Sequence, residues 1–141
     1  MKFEIKVKDI ASSMDLLYKL NLTGYRSVHR TRLIKILEEK LLDVQREFSL
    51  ILREHCGVDE NYEFKENEDI DKMVISKEEF LKDRNNLYNE VFTIDNSNMK
   101  NVFKTMKEAI LNCELEWSGE EADTYFILFE IFENMEGLEE K

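Results

Sequence analysis

The chain has 141 residues, a mass of 16.9 kDa and a net charge of −11, a length that makes one domain burying roughly 68% of its unfolded surface. With 43% apolar and 36% charged residues, four glycines and no proline, it is too apolar for a disordered chain and too poor in turn residues for a collagen-like or all-β one. Its acidity argues against a general affinity for polyanions such as nucleic acid.

From the N-terminus, Lys2 to Lys8 alternates Phe3, Ile5 and Val7 with charged residues, the period of a half-buried strand. Asp9 or Ser12 is then placed to cap a short helix carrying Leu16, Leu17 and Leu20. After a break at Gly24, the longest periodic segment runs from Ser27 to His55. Its stripe of Leu33, Leu37, Leu41, Val44, Phe48 and Ile51 is spaced at 4, 4, 3, 4 and 3, and Gly57 marks its end. A helix of that length extends roughly 43 Å, more than the ~40 Å diameter of a compact domain of this size. The molecule is therefore expected to be elongated, to kink this helix, or to pack its overhang against a second copy, which makes a homo-oligomer the expected state.

Between Gly57 and Ile75 the composition turns acidic, and Tyr62 and Phe64 alternating with charges suggest a loose hairpin. Ser76 and Glu79 form a capping box for the next helix, with Ile75 and Phe80 in the positions of a hydrophobic staple. That helix carries Phe80, Leu81, Leu87 and Tyr88 and leads into a strand tip at Val91–Ile94. A further helix holds Met99, Val102, Phe103, Met106, Ile110 and a buried Cys113. Ser118 and Glu121 form a second capping box, with Trp117 and Ala122 as its staple, before a last helix burying Ala122, Tyr125, Phe126, Phe129, Phe132 and Met135. No repeat or linker divides these elements, so residues 1–141 are read as a single mainly α (α+β) domain with one long helix and a small antiparallel sheet.

The longest apolar run, Tyr125–Phe129, is far short of the ~20 residues that span a bilayer. The alternating N-terminus is unlike a signal peptide, and two cysteines form no disulfide framework, so the expected compartment is the cytoplasm. Charge is unevenly spread: 11 basic and 8 acidic residues lie up to Cys56, and 9 basic and 23 acidic residues lie beyond it.

Arg26, His29, Arg30, Arg32 and Lys35 gather at the start of the long helix, where the helix dipole disfavours cations by ~0.3–1 kcal/mol each. Arg26, His29 and Arg30 share one face; Arg32 and Lys35 lie on a neighbouring one. Such a cluster implies an anionic partner, either the protein's own acidic half, in the same or a second subunit, or an external anion such as a nucleic-acid phosphate. These five are the candidate partner-binding residues.

Other chemistries find little support. Asn67, Asp69, Asp71 and Glu78 imitate a calcium loop, but Lys72 stands where the turn requires glycine. His29, His55, Cys56 and Cys113 lack the paired spacing of a structural zinc site. No phosphate-binding glycine loop, nucleophile elbow or His-x-x-x-His pair is present. The expectation is a non-enzymatic protein with no cofactor and no metal.

Leu20-x-Leu22-x-Gly24 followed by Ser27-x-x-Arg30-x-Arg32, the long charged helix, and Leu111-Asn112 leading through Ser118-Gly119-Glu120-Glu121-Ala122 to Phe132-Glu133 resemble a family of small phage- and prophage-encoded proteins, the domain of unknown function numbered 1617. The resemblance covers most of the chain outside Val58–Asp71. It implies a viral or prophage origin without an established activity. The leading expectation is an accessory protein working through contacts with a host or phage protein. The alternatives are an acidic inhibitor that imitates nucleic-acid charge to block a host defence or nucleic-acid enzyme, and a local nucleic-acid binder using the basic helix start. Salt-dependent binding to a DNA-handling enzyme would mark the former, and direct DNA binding at low salt the latter.

Overall fold

The computed structural model describes residues 1–138. Strand β1 is Phe3–Lys6, shorter than the alternating pattern that extends to Lys8. At Val7 the backbone tightens into a 3₁₀ turn, Val7–Asp9, which keeps the Val7 side chain buried while redirecting the chain into helix α1, Ile10–Lys19. Neither expected cap forms at its start: Asp9 occupies the N-cap position without a side-chain bond, and the Ser12 hydroxyl donates to the Asp9 carbonyl at 3.3 Å. Ile10, Ser13, Leu16 and Leu17 form the buried face of α1.

Helix α2, Tyr25–His55, is one uninterrupted segment of 31 residues, about 46 Å long. It begins two residues before Ser27, at Tyr25, behind the N-cap Gly24, whose backbone (φ 59°, ψ −133°) is one that side chains resist. The length is accommodated by successive partners. Helix α5, Lys100–Leu111, meets the N-terminal part of α2 through Thr105 and His29, and α1 meets it through Arg30. Helix α4, Lys77–Tyr88, meets the C-terminal part, where Phe80 and Tyr88 both pack on Phe48 with ring centroids 6.1 Å apart. Leu33, Ile34, Leu37 and Val44 are buried, whereas the later stripe members Leu41, Phe48 and Ile51 are half-buried.

Between α2 and α4 the hairpin suggested by the Tyr62/Phe64 alternation does not form. The segment is irregular apart from the four-residue helix α3, Ile70–Met73. Its alternation serves a different purpose: the Tyr62 and Phe64 rings meet edge to face at 5.3 Å, and Arg53 lies over Phe64 at 5.1 Å while its Nε donates to the Tyr62 carbonyl at 2.7 Å. The segment thus folds back on the end of α2, and the Ile75 N–H closes it by donating to the His55 carbonyl at 2.9 Å. Ser76 caps α4 as its box pattern requires, its Oγ accepting from the Glu79 N–H at 3.3 Å. The staple does not form, because Ile75 is 79% exposed.

Strand β2, Val91–Ile94, returns antiparallel to β1 with Phe3 opposite Ile94, Glu4 opposite Thr93, Ile5 opposite Phe92 and Lys6 opposite Val91. Asn96 then accepts from the Asn98 N–H and starts the 3₁₀ turn Ser97–Met99 that enters α5. Val102, Phe103, Met106, Ala109 and Ile110 are the buried residues of α5, and Cys113 beyond it is half-buried rather than buried.

Helix α6, Glu120–Glu133, corrects the second capping box. Gly119, with the same φ 59° and ψ −133° as Gly24, is the N-cap, and Ser118 is exposed. Trp117 packs along Tyr125 with ring centroids 6.1 Å apart. Thr124, Leu128 and Phe132 make the buried face, and Phe126 is 61% exposed. The buried side chains form one core centred on Phe3, which stacks on Phe103 at 5.8 Å and meets Phe132 at 5.6 Å.

Candidate functional site

The five residues of the basic cluster occupy three different environments. Arg30 faces the C-terminal end of α1, where helix carbonyls lack intrahelical partners and concentrate negative charge. Its guanidinium donates to the Leu20 carbonyl at 2.6 Å and approaches those of Leu17 and Tyr18 at 3.5 Å. The negative partner that the structure gives this arginine is thus the end of a neighbouring helix.

His29 is buried at the α2–α5 interface, 4% exposed. Its Nδ1 hydrogen-bonds the Thr105 hydroxyl at 2.6 Å, and the Tyr25 ring covers it at 4.5 Å. Burial, then the nearby Arg32 charge, holds its pKa below the ordinary value. The imidazole is neutral at pH 7, so His29 adds no cation to the helix start.

Arg26, Arg32 and Lys35 remain exposed. Among the described residues, no ion pair joins any of them to a carboxylate. Arg26 lines a hollow of about 550 Å³ with Asn21, Glu108, Asn112 and Glu114. Two carboxylates beside one guanidinium make this a mixed-charge hollow, poorly suited to a phosphate. Arg32 and Lys35 follow Tyr25 and Val28 along α2 at spacings of three and four, which places all four on one helix face. Tyr25 is 69% and Val28 42% exposed. An exposed tyrosine and an aliphatic side chain continuous with two cations form a surface of the composition enriched in protein interfaces.

At the other end of α2 the structure assembles residues that spacing alone did not connect. The His55 Nε2 lies 2.6 Å from Asp83 Oδ2, with the Phe80 ring against its edge. The Tyr62 hydroxyl donates to Glu68 Oε1 at 2.6 Å, and the same oxygen accepts from the Lys65 N–H at 3.0 Å. These bonds hold the Glu68 carboxyl below its ordinary pKa and raise that of the phenol. Burial, then Glu68, raises the Cys56 thiol, which keeps it protonated and weakly nucleophilic at pH 7. This end of the helix is a clasp for the acidic segment. The signal available in the sequence was Arg53, a cation at the end of the long helix, nine residues before the first of two alternating aromatics.

His29 and His55 stand at opposite ends of one helix, roughly 39 Å apart. Among the described residues, no group of three or more His, Cys, Asp or Glu side chains converges in a way that could hold a metal ion, and no helix is long and apolar enough to cross a membrane. Neither a protein-family model, nor a curated protein, nor a solved structure matches the chain.

Proposed function

We propose that this chain is a non-enzymatic phage or prophage accessory protein that works in the cytoplasm of a bacterial host through contacts with a host or phage protein. The observation that carries the reading is the exposed stripe of α2, Tyr25, Val28, Arg32 and Lys35, continued by Leu42 at 48% exposure. Such a surface combines a rigid aromatic anchor, apolar area and unpaired cations, and it suits an acidic, partly apolar protein surface. The phage context rests on the Leu20 to Arg32 and Leu111 to Ala122 patterns. Among the alternatives, local binding of nucleic acid is disfavoured by the net charge and by Glu108 and Glu114 beside Arg26. The acidic inhibitor keeps the support of 23 carboxylates beyond Cys56.

The test is affinity capture from phage-bearing host cells with the wild type and with an Arg26→Gln, Arg32→Gln, Lys35→Gln variant, which leaves His29 and Arg30 in their structural roles. Glutamine keeps the helix propensity of these positions. The variant is expected to melt like the wild type and to lose its specific partner. Retention of the same partner at the same yield would refute the assignment. A partner that handles DNA and is released by salt in both proteins would point to the acidic inhibitor instead.

A further inference from the structure

Among the described residues, the two-stranded sheet leaves the outer side of β1 unpaired, and its chemistry is self-complementary. The Val7 N–H donates to the Glu90 carbonyl at 2.9 Å, one step beyond the Lys6–Val91 pair. Hydrogen-bonded and non-bonded pairs alternate along an antiparallel ladder. The bonded positions facing β2 are therefore Phe3, Ile5 and Val7, and Glu4 and Lys6 direct their N–H and C=O groups away from it. Beside this edge lie two hollows of about 540 and 360 Å³ that share Glu4, Glu130 and Ile131, so the edge runs along one open groove between β1 and α6. Half-buried Ile127 and Ile131 supply an apolar floor.

We propose that a second copy of this chain docks here, its β1 pairing antiparallel with β1 across a two-fold axis at Ile5 to give a continuous four-stranded sheet. This deepens the reading of the chain as a protein that acts through protein contacts, by naming one partner and the surface it uses. The register follows from the ladder. In a two-fold pair, outward-facing residues must oppose outward-facing residues, which leaves Glu4 against Glu4, Lys6 against Lys6, or Glu4 against Lys6. The first two place like charges opposite each other on the axis. The third forms two opposite-charge pairs, Glu4–Lys6 and Lys6–Glu4, with Ile5 opposite Ile5 on the axis. The outer side of β2 offers Val91 and Thr93, with no charge to fix a register.

The experiment is light scattering on the wild type, Glu4→Lys, Lys6→Glu and an equimolar mixture of the two variants. Residues 4 and 6 are exposed, so each variant keeps the monomer fold, checked by circular dichroism. The wild type is expected at twice the 16.9 kDa chain mass. Each single variant places like charges opposite each other twice and weakens the dimer on the order of tenfold or more. The mixture restores both opposite-charge pairs and the dimer with them, an outcome that a merely structural role of either residue does not produce. A monomeric wild type at high micromolar concentration overturns the proposal, with Glu4 and Lys6 then acting to block edge pairing; the capture experiment on α2 would be untouched by that result. A dimer that survives both single substitutions also overturns it, because its interface lies elsewhere. So does a monomer whose capture of another protein is lost in Glu4→Lys, since the edge then takes a different extended chain.

Discussion

Replacing Arg30 with methionine deletes the guanidinium while keeping most of the aliphatic stem, and so isolates the contact with the end of α1. The bond to the Leu20 carbonyl at 2.6 Å is short and charge-assisted, whereas the two approaches at 3.5 Å are at the limit of hydrogen bonding and contribute little. A hydrogen bond to a charged group contributes about 1.5–3 kcal/mol net. Arg30 is half-exposed, which places the expected loss near the lower bound, about 1.5–2 kcal/mol. For a chain of this length that corresponds to a melting temperature lower by about 5 °C. The assay is thermal and urea unfolding by far-ultraviolet circular dichroism, with an unchanged urea slope showing that only stability has moved. Arg32→Met is the control, because Arg32 is exposed and expected to stay within about 0.5 kcal/mol of the wild type. If Arg30→Met is no less stable than Arg32→Met, the reasoning that a neighbouring helix end satisfies this arginine is wrong.

The burial of His29 predicts a pH dependence. Its native pKa lies below the ordinary 6.5, so as pH falls the unfolded chain takes the proton first; the stabilisation is whole above pH 6.5 and is lost progressively below it. Melting curves from pH 7.5 to 5 should show a steeper decline for the wild type than for His29→Gln, and parallel curves would refute this. Phe132→Ala, at a fully buried ring against Phe3, should cost about 3–5 kcal/mol, half-buried Phe129→Ala less, and exposed Phe126→Ala under about 0.5 kcal/mol; denaturant titration would reveal any other order. Ser76→Ala should cost about 1 kcal/mol through loss of its cap, whereas Ser118→Ala should be neutral. Gly119→Ala should cost about 1–3 kcal/mol from backbone strain alone, because an added Cβ meets no atom within 4 Å. Equal effects at Ser76 and Ser118 would restore the discarded capping box.

Features encoded by local periodicity are legible in the sequence. Alternation of Phe3 and Ile5 with Glu4 and Lys6, the stripe of α2 and the box at Ser76 each depend on neighbours within a turn or a pleat. The box at Ser118 was misleading because Gly119 competes with it: a residue free to adopt φ 59° lets the helix begin one position later without a side-chain cap. In α6 the unbroken run Tyr125–Phe129 makes every face apolar, so the packing of Phe132 beside Phe3, and not the run itself, selects Thr124 and Leu128 for the interior. The basic cluster reads as a single patch along the sequence. Its division depends on the turn at Gly24, which brings the end of α1 against Arg30, and on α5 arriving beside His29, and neither is visible from residues 26–35.

The pairing of β1 with β2 joins the two ends of a span covering well over half of the chain. During synthesis β1 emerges well before its ladder partner, which follows only after α1, α2, α3 and α4 have been made, an interval on the order of ten seconds at ribosomal speeds. Helices closed by local contacts form in far less time than that. Phe3 waits longer still, for Phe103 and then Phe132. Strand β1 is therefore made well before its cover, and Phe3 keeps a bare ring until both of these partners have followed it. A chaperone that engages short apolar segments would find its binding window on β1 set by this topology.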